Sequence, residues 1–590
     1  MKDFFKYTLA TIVGMFLFTI IMGIFMLVSI AGMVASSDQT TTVKENSVLL
    51  LNLSGVMEER VDDNVISKIL GETNGATGLD ATLSAIKKAQ ENDNIKGIYI
   101  EAGAFAPDSY ASMQAIRRAL ADFKKSGKWI VAYGDTYTQG GYYLASVADK
   151  IYLNPQGMID WHGLAAQPMF LKDLMAKVGV KMQVAKVGSY KSATETFTGD
   201  KMSDADREQT QAYIDGIWQN VTEAVAQSRK LSVAKLNEYA DSMIALSDPQ
   251  DYVKMHMVDQ LLYTDQVKKE IKKMLKIDED KKINQLSVDD MTSVPGKDKD
   301  GDEIAVYYAY GTIVDGVAGA KMSKEHVIDA QVVCKDLEEL MKDDDVKAVV
   351  LRINSGGGSA YASEQIWHQL MELKAKKPVV VSMGGMAASG GYYISAPANW
   401  IVAEPTTLTG SIGIFGMFPD FSGLMTEKLG LKFDEVKTNK YSAFGSLSRP
   451  FNADEMSLLE KYVGRGYNLF RKRVADGRKM TTDQVEAIAQ GHVWLGQDAL
   501  KIKLVDELGG LDKAVAKAAT LAKMKDYHTC SYPAKKDLAE QLLENIEGKN
   551  YLDEQMRTTL GEYYDIFAMM KNLKQQNAIQ ARVPYYIVVR

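Results

Sequence analysis

Gly384-Gly385-Met386-Ala387-Ala388-Ser389-Gly390-Gly391-Tyr392-Tyr393 joins a β-branched run, Pro378-Val379-Val380-Val381-Ser382-Met383, to a stretch that can begin a helix. A serine where a strand turns sharply into a helix stands beside unpaired N–H groups and the positive end of the helix dipole, a setting that suits a nucleophile. Small residues at such a junction also let a strand and a helix pack closely, and one Ala-Ser-Gly-Gly taken alone favours that plainer use. The rest of the chain decides between the two, because it contains the same junction twice.

Gly140-Gly141-Tyr142-Tyr143 returns as Gly390-Gly391-Tyr392-Tyr393, and Ala148-Asp149-Lys150-Ile151 with Pro155 returns as Ala398-Asn399-Trp400-Ile401 with Pro405, both at an offset of 250 residues. Lys96-Gly97-Ile98-Tyr99-Ile100 answers Lys347-Ala348-Val349-Val350-Leu351, and Tyr110-Ala111-Ser112 answers Tyr361-Ala362-Ser363, at 251. Coincidences at one period mean two copies of one domain. Within each copy strand and helix patterns alternate: Ser47 to Leu53 reads as a buried strand, and Met113, Ile116, Leu120 and Phe123 carry helical spacing. That alternation predicts an α/β fold with parallel strands.

The copies differ where chemistry is at stake. The position matching Ser389 is Gln139, which has no hydroxyl. In Val187-Gly188-Ser189-Tyr190-Lys191-Ser192-Ala193, a lysine lies in an unusually uncharged setting, and at the 250-residue offset it faces Tyr441. A surface lysine is the ordinary use of that residue type. If serine and lysine are both required, however, the first copy supplies one and the second the other. A lysine acts as general base only when neutral, and burial can lower its pKa from about 10.4 by roughly 3–5 units.

Ala348-Val349-Val350-Leu351-Arg352-Ile353 reads as a strand running into Asn354-Ser355-Gly356-Gly357-Gly358-Ser359, followed by a helix over about 362–373. Bare N–H groups in such a turn cradle a phosphate or an oxyanion, and neither GxxxxGK[ST] nor GxGxxG is present. The first copy has Ala102-Gly103-Ala104-Phe105-Ala106 at that place. None of the six histidines forms HExxH or HxH, and neither His162 nor His492 sits where a catalytic triad would need it. Cys334 and Cys530 lie far apart and outside any CxxC, so no metal centre and no cofactor is expected.

With 590 residues, 46% hydrophobic and 25% charged, and a net charge of −7, the chain has the composition of a multi-domain globular protein without the basic excess of a nucleic-acid binder. Residues 7–37 carry no charge and are rich in Ile, Leu, Met, Phe and Val, longer than a signal peptide needs and long enough to span a bilayer. Lys2 and Lys6 before this run favour a cytoplasmic amino terminus.

Four segments together resemble one family: the lysine segment, Leu351-Arg352-Ile353-Asn354-Ser355-Gly356-Gly357-Gly358-Ser359, Met386 to Tyr392, and Leu408-Thr409-Gly410-Ser411-Ile412-Gly413. The chain resembles, over essentially its whole length, signal peptide peptidase A of the long duplicated bacterial type, the membrane-bound protease IV family. The resemblance implies a serine/lysine dyad protease with a Clp-protease or crotonase-like fold, degrading signal peptides left in the membrane, and a ring-like homotetramer. Carried over by position, Ser389 is the nucleophile and Lys191 the general base. Gly357 and Gly390 are the oxyanion donors, and Ser411 orients the lysine. Gly356 departs from the related motif, which usually has proline there. Gln580-Ala581-Arg582-Val583-Pro584-Tyr585-Tyr586 also resembles the family's carboxyl end, as a strand docked on the body.

The expected organisation is a cytoplasmic tail over 1–7, a transmembrane anchor over 8–35, a first crotonase-like repeat over 47–282 carrying Lys191, and a polar linker over 283–303. A second repeat over 304–530 carries Ser389, and a helical and strand extension covers 531–590. The expected location is the bacterial inner membrane, single-pass, with the catalytic part on the periplasmic side, and the expected partners are apolar peptides. Two alternatives stand beside this reading: crotonase-type acyl-CoA chemistry, and a catalytically silent scaffold that binds membrane peptides.

Overall fold

Each copy folds as a sheet of mainly parallel, β-branched strands covered by amphipathic helices, with one antiparallel pair, Leu408–Gly410 with Val493–Leu495, in the second. The computed structural model describes residues 2–37, 41–61, 76–296, 301–316, 326–535 and 579–583. The first copy forms a seven-stranded sheet in the order Ala76–Gly78, Ser47–Glu58, Ile95–Ala106, Trp129–Tyr137, Lys150–Ile159 and Gln260–Leu261, with Asn284–Leu286 also pairing Ser47–Glu58. All of these pairs are parallel. The second copy repeats the plan in an eight-stranded sheet, with Val379–Ala388 between Val346–Ser355 and the short strands Trp400–Ala403 and Leu408–Gly410.

The matching helices are Tyr110–Lys124, which buries Met113, Ile116, Leu120 and Phe123, and Ala360–Lys374, which buries Ala362, Ile366, Leu370 and Leu373. Ser109 and Ser359 start them, each side chain accepting a hydrogen bond from the backbone N–H three residues on. Both copies cap this helix with a serine, one position apart in the 251-residue register.

Two expectations change. The segment over 283–303 is not a linker throughout: Asn284–Leu286 joins the first sheet, Val288–Thr292 is a helix, and Leu286, Met291 and Val294 are buried in the first core. Those apolar residues, spaced among polar ones, outweigh the turn-rich composition. The second boundary also shifts, because strand Tyr527–Tyr532 pairs Asp302–Tyr310 across position 530. Among the described residues, no disulfide joins Cys334 to Cys530.

The amino-terminal apolar run is a helix, Lys2–Ser37, and its described side chains are exposed. Among the described residues no helix is long and apolar enough to cross a membrane. The run continues into residues 26–37, whose side chains lie outside the described set, as does most of the expected extension over 531–590.

What positions the site is a third, composite sheet. Its six strands run Val327–Asp329, Thr312–Val314, Gly357–Ser359, Ile579–Arg582, Phe415–Asp420 and Lys181–Lys186. Lys181–Lys186 comes from the first copy, yet it pairs antiparallel with Phe415–Asp420 of the second in a six-residue register. The two copies are also tied by buried charge. The Arg352 guanidinium donates to both oxygens of Glu59, at 2.6 and 3.2 Å, and each residue is 4% exposed.

Breaking a buried, bidentate pair leaves an unpaired charge, which typically costs about 3–5 kcal/mol. Glu59→Ala is therefore expected to lower the unfolding free energy measured by urea titration by that amount. Glu59→Gln, which keeps a hydrogen-bond acceptor for the guanidinium, should cost less.

Candidate active site

Val379–Ala388 and Val346–Ser355 are adjacent parallel strands, and the residues that follow their carboxyl ends lie side by side. Ligand crevices in open α/β sheets form at that edge. Ser389 follows the first strand as the N-cap of the short helix Gly390–Ser395, with φ 55° and ψ −114°. A positive φ is strained for a serine, and it is held by Ser389 N–H donating to Gly410 O at 2.8 Å and Tyr393 N–H donating to Ser389 O at 2.8 Å.

Lys191 arrives from the first copy. After pairing along Phe415–Asp420, the chain turns through Gly188, and Tyr190 N–H donates to Gln490 O. The Lys191 amine then lies 2.8 Å from Ser389 Oγ, 2.9 Å from Ser411 Oγ and 3.1 Å from Ser411 O. Serine and lysine meet within one chain. Lys191, Ser389 and Ser411 are all fully buried. Burial drives the pKa of Lys191 well below the ordinary lysine value. A neutral amine at hydrogen-bond distance from a hydroxyl can take its proton.

The slot that holds the lysine is cut to its stem. An added methyl at Gly413 would stand 3.2 Å from Lys191 Cδ, and one at Gly491 would stand 2.6 Å from Lys191 N. Gly491 has φ +84°, so its backbone also favours glycine. Residues after the lysine brace it further. Ser192 donates to Asp206 Oδ1 at 2.6 Å, and Gln209 donates to Tyr190 O while its Oε1 accepts from Val493 N–H. Gln209 and Asp206 carry no recognisable signal in the sequence; only their place on the helix Asp204–Arg229, beside the lysine turn, shows their role.

Gly357 and Gly390 are brought together. A methyl built on Gly357, whose φ is +95°, would lie 2.6 Å from the Gly390 nitrogen, and the Ala581 carbonyl oxygen lies against both glycines. That carbonyl belongs to Ile579–Arg582, which pairs antiparallel with Gly357–Ser359 and with Phe415–Gly416, filling the groove beside the serine with an extended peptide of the same chain. Val583 N–H donates to Gly356 O at 2.9 Å, and the Val583 side chain packs among Ala388, Leu408 and Ile217. Glycine at 356, where the related motif has proline, leaves that space: a methyl there would meet Val583 Cγ2 at 2.6 Å.

A cavity of about 980 Å³ opens from this groove between the copies, bounded by Phe105, Tyr110 and Gln139 on one side and Gly357, Met386 and Leu408 on the other. Asp108 lines this space with an exposed side chain, and the enclosing groove walls and then Glu59 push its carboxyl up. Gln139, which stands where Ser389 stands in the other copy, donates to Gly163 O and accepts from the N–H groups of His162 and Gly163. The first copy has a tied-down loop in place of a nucleophile. His492 is packed between Tyr190 and Trp494 with ring centroids at 4.4 and 3.9 Å.

The pattern of Peptidase family S49 matches residues 122–278 and again residues 371–525, and that of Clp protease matches residues 320–401. The chain is 38% identical over 554 residues to Protease 4 of Salmonella typhi, covering 90% of this chain and 87% of that protein. It is 34% identical to Protease 4 of Haemophilus influenzae, covering 85% and 83%. It is 31% identical to the chloroplastic Serine protease SPPA of Arabidopsis thaliana, covering 80% and 69%.

Gly491→Ala pushes a methyl into the Lys191 backbone at a positive φ. A misplacement of about 1 Å can cost roughly 10²-fold in rate, so peptide hydrolysis by this variant should fall by about that factor. Circular dichroism of the folded protein is expected to stay unchanged.

Proposed function

Because this chain belongs to peptidase family S49, we propose that it is a membrane-anchored serine endopeptidase in which Lys191 is the general base for Ser389. Its substrates are extended apolar peptides, remnant signal peptides above all. The observation that carries the dyad is the 2.8 Å contact between the Lys191 amine and Ser389 Oγ, both fully buried.

In the reaction the neutral amine of Lys191 accepts the Ser389 proton as the oxygen attacks the peptide carbonyl. The N–H groups of Gly357 and Gly390 receive the developing oxyanion, each such donor being worth about 10²–10³ in rate. The ammonium then gives its proton to the departing amine, leaving an ester on Ser389. Water, deprotonated by the same amine, attacks that ester, and the ammonium returns the proton to Ser389 Oγ as the acid leaves. Ser411, at 2.9 Å, aims the lysine.

Extended peptides are favoured because the groove already accepts one, Ile579–Arg582, through backbone pairing. The uncharged run over residues 7–37 supports the anchor, and Lys2 and Lys6 support a periplasmic catalytic part at the bacterial inner membrane. A ring-like homotetramer completes the reading. Neither acyl-CoA chemistry nor a silent scaffold makes use of the contact between Lys191 and Ser389.

Ser389→Ala and Lys191→Ala should each abolish hydrolysis of a signal-peptide substrate while leaving the melting profile in place; residual turnover near the parent rate in either would remove the dyad. The pH dependence follows from the lysine. Its depressed pKa means the amine is protonated and inactive below that value and neutral above it. Activity should thus rise with pH through the depressed pKa, well before an ordinary lysine would titrate. Ser411→Ala, losing one hydrogen bond worth about 0.5–1.5 kcal/mol, should lower kcat by up to about tenfold with little change in KM.

A further inference from the structure

The edge strand of the second sheet carries a cluster that the catalytic site does not use. Tyr527–Tyr532 ends that sheet and pairs parallel with Asp302–Tyr310, placing His528 opposite Glu303 and Cys530 opposite Ala305. Side chains alternate between the two faces of a strand, so His528, Cys530 and Tyr532 share one face. All three are half-buried, whereas Tyr527, Thr529 and Ser531 on the other face are exposed. A glutamate, a histidine and a cysteine therefore meet on one side of a single strand pair.

Their spacing suits a metal ion. One donor atom from each of Glu303, His528 and Cys530 lies within 4.8 Å of the other two, and Glu303 Oε2 stands 3.7 Å from His528 Nε2. Donors around a tetrahedral zinc ion are about 3–4 Å apart, so side-chain rotation closes the set. The carboxylate is already aimed: the Tyr532 hydroxyl donates to Glu303 Oε1 at 2.7 Å, which leaves Oε2 toward the imidazole. A hydrogen bond of that kind behind a ligating carboxylate fixes its orientation at metal centres.

Two further observations separate the cluster from an ordinary ion pair. His528 Nδ1 is buried and has no hydrogen-bond partner among the described residues, a costly state for a ring nitrogen. At 3.7 Å the contact of Nε2 with Glu303 is too long for a hydrogen bond, so the carboxylate does not hold the ring directly. The surroundings also favour a cation: Glu303 N–H donates to Asp345 O at 3.3 Å, at the end of the acidic run Asp343-Asp344-Asp345. The side chains of Glu303 and His528 keep 15% and 21% of their surface exposed, which gives an ion a way in.

We propose that Glu303, His528 and Cys530 bind a divalent transition-metal ion, zinc in the first place, at a site separate from the catalytic one. Thiolate and imidazole select such an ion over calcium and magnesium, which take oxygen ligands. On binding, the Cys530 thiol releases its proton to solvent, the imidazole binds neutral, and a water completes the tetrahedron. The ion staples the edge strand to its neighbour. That strand runs straight into Pro533, whose carbonyl accepts from Arg60 of the first copy at 2.7 Å, so the staple stands where the chain passes from one copy to the other. Spacing along the chain conceals the site, because Glu303 comes from a strand far earlier than His528-Thr529-Cys530. The peptidase reading does not enter.

The test uses the full-length chain in detergent, stripped with a chelator and dialysed against zinc or cobalt(II) chloride alone. Each chain is expected to retain one zinc ion, and cobalt(II) in its place should give a sulfur-to-metal charge-transfer band in the near ultraviolet. Cys530→Ser should abolish that band and Cys334→Ser should leave it. Tyr532→Phe, which removes only the hydrogen bond that aims the carboxylate, should weaken zinc binding by about tenfold, and His528→Ala by more. Zinc should also slow amide hydrogen exchange along Tyr527–Tyr532 in the parent chain. The band and the exchange are read on the unaltered cluster, so they decide the matter even where a variant fails to fold. Absence of the band in the parent, its survival in Cys530→Ser, or undiminished zinc affinity in His528→Ala overturns the proposal.

Discussion

A fully buried amine, Lys191, with no carboxylate beside it among the described residues is the constraint on which this structure turns. Kept as an ammonium, Lys191 would bear the full cost of lost hydration, and its neighbours are hydroxyl and carbonyl oxygens of Ser389 and Ser411. Burial shifts the equilibrium to the neutral amine, the form that can accept a proton. Several features otherwise hard to explain follow from that need. Gly413 and Gly491 thin the walls so the stem fits, and Ser389 and Ser411 take positive φ values of 55° and 48°. The strain is local, and the surrounding sheet, closed on both sides, holds it.

The same constraint explains why one chain contains two copies of a domain with unequal contents. The dry slot forms only where an arm from one copy lies along a strand of the other, so duplication supplies both sides in one polypeptide. Once the lysine crosses over, the first copy needs no nucleophile. Gln139 there spends its amide on the His162–Gly163 loop, and the glycine turn of the second copy is answered by Ala102-Gly103-Ala104-Phe105-Ala106. Besides Lys191, the first copy contributes structure to the site: Glu59 pairs Arg352, Gln114 accepts from Thr406, and Ile217 packs against the pocket that holds Val583.

Much of this was legible in the sequence because it is written as repetition and as small residues at turns. The offset between Gly140-Gly141-Tyr142-Tyr143 and Gly390-Gly391-Tyr392-Tyr393 exposes the duplicated α/β fold, and the contrast of Gln139 with Ser389 singles out the serine. What stayed hidden depends on contacts between segments distant in sequence. No local pattern joins Glu59 to Arg352, or marks Gln209 as the brace of the lysine turn. The segment over 283–303 misleads because turn-forming residues dominate its composition, while three spaced apolar side chains, Leu286, Met291 and Val294, decide its place. The match of Lys191 to Tyr441 holds an offset of 250 where the repeat has already gained a residue: Gly179 and Gly430, 251 apart, share a left-handed backbone with φ +78° and +71°.

The composite sheet is built from strand edges, and that choice governs what the groove can distinguish. Backbone pairing along Gly357–Ser359 and Phe415–Gly416 holds an extended chain whatever its side chains. Selectivity must therefore come from pockets, and the one filled here takes Val583 among Ala388, Leu408 and Ile217. A helix offers no free backbone N–H or C=O along its length, so it cannot enter such a groove without unwinding. A segment held in a helix keeps its backbone groups to itself, so the geometry of the groove admits chain that is already extended and has an apolar side chain to place beside Ala388, Leu408 and Ile217.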